Sequence, residues 1–157
     1  MYPVKVAVEN DFFLGTLHMG SRSMTSTIYF DFINETFPNA EWTDFSLVIL
    51  CWWIRDIISN RNNDHAKFQL WFMDGPFRVD CVKEMEKIHM KCVRFEIETV
   101  KIYAEKTVDF REFMRELRNA ATRLIWWIDQ ANLGELRDYN TLKGYLKELN
   151  DVIKKEG

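Results

Sequence analysis

Lys67-Phe68-Gln69-Leu70-Trp71-Phe72-Met73-Asp74-Gly75-Pro76-Phe77-Arg78-Val79-Asp80-Cys81 is the stretch that decides the fold. Phe68, Leu70 and Phe72 alternate with Lys67, Gln69 and Trp71, and after Asp74-Gly75-Pro76 the alternation resumes at Phe77, Val79 and Cys81. A period of two puts successive side chains on opposite faces of a strand, so this is a hairpin. Pairing Phe72 with Phe77, Leu70 with Val79 and Phe68 with Cys81 gathers all six on one face. The other face then sets Trp71 against Arg78 and Gln69 against Asp80. Pro76 lacks an amide hydrogen, so the spacing predicts a four-residue loop, Met73 to Pro76, rather than a tight two-residue turn.

A third strand is expected from Met90 to Glu98. Setting Phe77 opposite Ile97, Val79 opposite Phe95 and Cys81 opposite Val93 extends the apolar face and brings Arg78 to Glu96 and Asp80 to Arg94. In that register Cys81 faces the helices, while Met90 and Cys92 lie on the outer face with Trp71, Met73 and Val82. Val100 to Ala104 either prolongs this strand past a bulge or forms a short one of its own. Val4 to Val8, Phe12 to His18 and Thr25 to Ile33 read as further strands, rich in β-branched and aromatic residues. They are expected to widen the meander and to cover its outer face; left uncovered, that face would dock a partner.

Helices are expected near 44 to 60, 109 to 133 and 141 to 155. Thr43 or Asp44 can cap the first, which is apolar in almost every direction and hence buried. Asp109 can accept from the free amides of the second, whose apolar stripe runs from Phe110 through Leu117 and Leu124 to Ile128, with Gly134 as its stop. Leu142, Leu149 and Val152 mark the third, with Lys154 and Lys155 at its negative end. The whole is read as one α+β domain, residues 1 to 157: an antiparallel meander with helices packed mainly on one face.

The 157 residues include 24 acidic and 21 basic side chains, and the imbalance is local: residues 1 to 66 hold eight acids and four bases. A nucleic-acid binder normally carries a basic patch that neutralises phosphates, so this balance argues against that class. Glu9, Asp11, Glu35 and Glu41 instead compose an acidic patch suited to a basic partner. The longest apolar run, Phe45 to Ile54, is shorter than the ~20 residues that span a bilayer. With no cationic and apolar leader pattern at its start, the chain is expected to be cytoplasmic.

Catalytic motifs are missing: no glycine-rich phosphate loop, nucleophile elbow or dinucleotide fingerprint occurs. Cys51, Cys81 and Cys92 lack the close spacing of a zinc site, and His18, His65 and His89 are scattered, so neither metal nor cofactor is expected. Asp44, Asp56, Asp74 and Asp80 are explained by caps, turns and cross-strand pairs. Two tryptophan doublets, Trp52-Trp53 and Trp126-Trp127, diverge by ~100° on a helix, so one member of each must meet a boundary. Trp71, Arg78 and Trp127 join the four acids as candidate partner-binding residues.

Trp42-Thr43-Asp44-Phe45, the following Trp52-Trp53, and Phe72-Met73-Asp74-Gly75-Pro76-Phe77 resemble a small bacterial group found among immunity proteins of polymorphic toxin systems; the similar stretch runs from about Phe37 to Ile128. The resemblance implies a cytoplasmic antidote that binds and blocks one toxin, with contact residues that vary from protein to protein. The expected function is therefore non-catalytic protein binding. Its rivals are a small-molecule-binding domain or enzyme with a pocket between sheet and helices lined by Trp53, Trp71 or Trp127, and a homodimer that buries Trp126, Trp127 or the outer sheet face.

Overall fold

The computed structural model describes residues 1 to 16 and 22 to 156, in which strands and helices are nearly balanced in an α+β fold. Two antiparallel sheets form. In the first, β3 (Arg22–Asp31) is hydrogen-bonded to β1 (Lys5–Val8), β2 (Phe13–Thr16), β4 (Thr36–Phe37) and β5 (Thr43–Asp44). The second is a four-stranded meander in sequence order, β6 (His65–Trp71), β7 (Phe77–Glu84), β8 (Lys87–Phe95) and β9 (Val100–Asp109). Helices α1 (Ser46–Asn60), α2 (Phe110–Gln130) and α3 (Tyr139–Glu156) complete the chain. The N-terminal strands thus build a sheet of their own and do not widen the meander. Of the expected strand Phe12 to His18, the last two residues lie outside the described ones.

The first hairpin forms as its alternation requires. Phe68 pairs with Cys81, Leu70 with Val79 and Trp71 with Arg78, and the Phe72 amide donates to the Phe77 carbonyl across the loop Met73 to Pro76. Gly75 adopts φ +72, and a Cβ there would fall 2.9 Å from the Trp42 ring, so the loop needs glycine twice over.

The third strand is displaced by three residues from its expected register. Phe77 pairs with Arg94, Val79 with Cys92 and Cys81 with Met90, because Glu84 and Lys87 close a two-residue turn at Met85-Glu86, with Met85 at φ 54. An odd displacement exchanges the faces of a strand. Ile88, Met90 and Cys92 therefore point into the core, whereas Val93 and Phe95 belong to the outer face, where Val93 is itself fully buried and Phe95 half-buried. The sequence holds two overlapping alternations, Ile88-Met90-Cys92 and Val93-Phe95-Ile97, and the tight turn selects the first. Val100 to Ala104 belongs to a full fourth strand. Cys92 pairs with Ala104 and Val93 with Ile102, so Tyr103 is an extra residue that turns Ile102 to the outer face.

The main core lies where sheet 1, the helices and the inner face of the meander meet. Phe30 of β3 stacks on Trp53 of α1 at 4.8 Å and meets Phe72 and Phe113 edge-on at 5.8 and 6.1 Å. Trp53 is fully buried, and its indole donates to the Trp71 carbonyl at 2.8 Å, joining α1 to the end of β6. Asp109 caps α2 as its position implies, accepting from the amides of Arg111 and Glu112. That helix stops before Gly134, at Gln130, and Asn132 takes the left-handed conformation at φ 55. No side chain caps α1, whose preceding residue is Phe45. Asp44 has other work: its buried carboxylate accepts from the Phe45 amide, the Trp42 indole and the Asp74 amide, tying β5, α1 and the hairpin loop together.

Candidate functional site: two outward sheet faces

The outer face of the meander is open to solvent, and the first sheet does not cover it: His65, Lys67, Gln69 and Trp71 on β6 are all exposed. Strand pairing arranges this face in rows. Trp71, Arg78, Val93 and Ile102 form one; Gln69, Asp80, Lys91 and Glu105 the next; then Lys67, Val82, His89 and Thr107; then His65, Glu84, Lys87 and Asp109. The first row and the neighbouring Phe95 make an apolar end. The Arg78 guanidinium lies 5.3 Å from the Trp71 ring and 5.5 Å from that of Phe95, while its Nε donates to Asp80 at 2.8 Å. Both aromatic rings and the cation are thereby held in place; Arg78 and Phe95 are half-buried, and Trp71 keeps 38% of its surface. The remaining rows are charged, with four acids and three bases, Lys91 near Glu105 at 3.7 Å and His89 bonded to the Thr107 hydroxyl at 2.7 Å.

The first sheet presents a different outward face. Its inward residues Val4, Val6, Val8, Ile28 and Phe30 are buried, which leaves Tyr29 and Asp31 facing outward. Partial burial, and then the negative charges of Asp31, Glu9 and Glu41, push the Tyr29 hydroxyl above its ordinary value of 10.0. Asp11 joins the same strand by accepting from the amide and hydroxyl of Thr27 at 2.9 and 2.6 Å. Three of the four acids singled out in the sequence, Glu9, Asp11 and Glu41, thus lie along β3. Glu35 does not join them; it pairs with Lys106 of β9 at 2.5 Å, and that ammonium also sits 4.0 Å from the Tyr2 ring.

Trp71 and Arg78 belong together on the meander face, apart from the acids. Trp127 is half-buried against the core and its neighbour Trp126 is 58% exposed, so the boundary residue of that doublet is Trp126. Sequence reasoning missed Tyr29, Asp31, Phe95 and Ile102. Tyr29 and Asp31 share the parity of Thr25 and Thr27, a signal legible in the alternation of β3; Phe95 and Ile102 depend on the displaced register and the bulge.

A groove of about 490 Å³ runs beside the start of α1, lined by Phe45, Val48, Trp52 and Met73 with Arg137 and Asp138 at one end. A smaller one, about 340 Å³, continues past Trp52 to Trp71. Trp53 is buried away from both.

The three thiols are unsuited to nucleophilic work. Burial among apolar groups pushes Cys51 and Cys92 up to about 12 and Cys81 well above its ordinary value. We expect none to react with a thiol reagent in the folded protein at pH 8, and all three to react once it is unfolded; one thiol modified rapidly in the native state would contradict the burial. Among the described residues no group of three or more His, Cys, Asp and Glu side chains could hold a metal, and no helix is long and apolar enough to cross a membrane. His65 and His89 are exposed on the meander face, and His18 lies outside the described residues. Comparison with known families, with curated proteins and with solved structures finds no match.

Proposed function

We propose that this domain acts by holding a protein partner, and that the partner is a basic protein, in the most concrete form a bacterial toxin that the domain inhibits in the cytoplasm by covering it. The observation that carries the reading is the gathering of Glu9, Asp31 and Glu41 around Tyr29 on the outward face of sheet 1. Like charges collected beside one strand, Asp31 on β3 and Glu9 and Glu41 in the segments that flank it, raise the encounter rate of a cationic surface. The sequence resemblance to immunity proteins supports the same reading, as does the burial of every cysteine. No part of it requires a cofactor.

The test is association with the product of the gene adjacent to its own, produced together and purified. If the proposal holds, the two elute as one complex, and Glu9→Lys with Glu41→Lys slows association by about tenfold at low salt. Absence of a complex, or an association rate indifferent to both salt and charge reversal, would count against it.

A further inference from the structure

We propose that the outer face of the meander is a homodimer interface, packed face to face on a second copy of itself about a two-fold axis that runs parallel to the strands between β7 and β8. This inference is independent of the acidic face and its partner, which the dimer leaves outward.

Charge complementarity selects the occupant. A two-fold in that position keeps each row opposite itself and reverses the strand order, so β6 meets β9 and β7 meets β8 of the other copy. In the charged row, Asp80 then faces Lys91 of the second copy, and Lys91 faces its Asp80. One end of the face repeats the pattern, Glu84 against Lys87 and Lys87 against Glu84. At the apolar end Trp71 meets Ile102 in both directions. No direct opposition sets like charges against each other; Arg78 meets the buried Val93 position and Val82 meets His89. The other in-plane two-fold, perpendicular to the strands, would set the tryptophan row on the charged ones and loses this match. Electrically the face is even, four acids against four bases, so a copy approaches it without net repulsion. The acidic face of sheet 1 would repel its own copy.

Geometry agrees. Aligned sheets pack within ~30° of each other at ~10 Å, with side chains of the two faces interdigitating. Four strands at ~4.8 Å and four rows spaced two residues, ~6.6 Å, apart give a face of about 500 Å² in projection, and its corrugated side-chain surface approaches the ~800 Å² that each partner brings to a standard interface. Edge-to-edge extension is disfavoured at β9, where the Tyr103 bulge interrupts the strand and the Tyr2 amide already occupies the Thr107 carbonyl at 2.8 Å.

Sedimentation equilibrium of the purified chain, from ~5 to ~200 µM in ~0.1 M salt, reads the result directly. The mass should rise from one chain to two, with a blue shift of tryptophan emission as Trp71 is covered. Ile102→Lys, at an exposed edge position, should weaken the dimer by at least about tenfold. Asp80→Lys and Lys91→Asp should each do the same, the doubly exchanged chain should recover most of the affinity, and Glu41→Lys should leave it unchanged. A wild-type chain that stays monomeric throughout, a dimer indifferent to Ile102→Lys, or a double exchange no better than the single ones would overturn the proposal.

Discussion

Replacing Asp44 with alanine should cost about 3 to 5 kcal/mol, most of what a domain of this size has to lose. The carboxylate is buried and accepts from three donors, the Phe45 and Asp74 amides and the Trp42 indole, and alanine would leave all three without a partner. The Asp74 amide lies 30 residues from Asp44 in sequence, so the loss would also free the hairpin loop from the start of α1. Urea unfolding of the two proteins measures it; a loss below about 1 kcal/mol would show that water replaces the carboxylate. The pH dependence has a definite sign. Burial raises the Asp44 carboxyl above its ordinary 3.8 against the lowering effect of its hydrogen bonds, so the folded state binds this proton more tightly than the unfolded one. Its contribution therefore favours folding most below 3.8 and declines as pH rises through the folded value, then stays constant. Asp44→Asn lacks this proton, so the stability of the wild type minus that of the variant should show the decline.

Phe30→Ala should cost a similar amount, about 3 to 5 kcal/mol, for a different reason. Phe30 is fully buried where both sheets and two helices meet, touching Trp53, Phe72 and Phe113. The cavity left behind is walled by elements of four different segments, and no single side chain can swing to fill it. Phe30→Leu keeps most of the volume and should cost under half as much. Because the site joins the sheets, thermal unfolding of Phe30→Ala should remain a single transition at a lower temperature. A cost below about 1 kcal/mol would mean that the junction collapses freely.

How far these features could be foreseen depends on whether local chemistry or long-range geometry decides them. The hairpin from Lys67 to Cys81 was legible because hydrophobic alternation and Pro76 point to the same loop. The cap at Asp109 and the three helices were legible for the same reason. The third strand was not, because Ile88-Met90-Cys92 and Val93-Phe95-Ile97 offer equally good apolar stripes of opposite phase, and a positive φ at Met85 decides between them. Charge pairing favoured the losing register, since Arg78-Glu96 and Asp80-Arg94 matched as well as the pairs that form. That the first sheet stands apart from the meander was missed because short strands such as Thr36–Phe37 and Thr43–Asp44 carry no period of their own and exist only against β3.

The candidate surfaces divide similarly. Glu9, Asp11 and Glu41 converge because the segments that hold them run beside β3, but Glu35 stands beyond the turn after β3 and finds Lys106 instead. Trp71 and Arg78 are cross-strand partners, legible from the hairpin alone. Their continuation into Val93, Phe95 and Ile102 required the bulge at Tyr103.

The most direct test of the central claim, that this chain works by occupying a partner and not by turning one over, is a titration of the adjacent gene's purified product against the purified chain, with that product's toxic activity as the readout. A linear fall to zero at one chain per toxin is expected, with full activity recovered when the complex is dissociated and separated. Loss of toxin activity at far less than one equivalent, or activity untouched by a saturating excess of the chain, would contradict it.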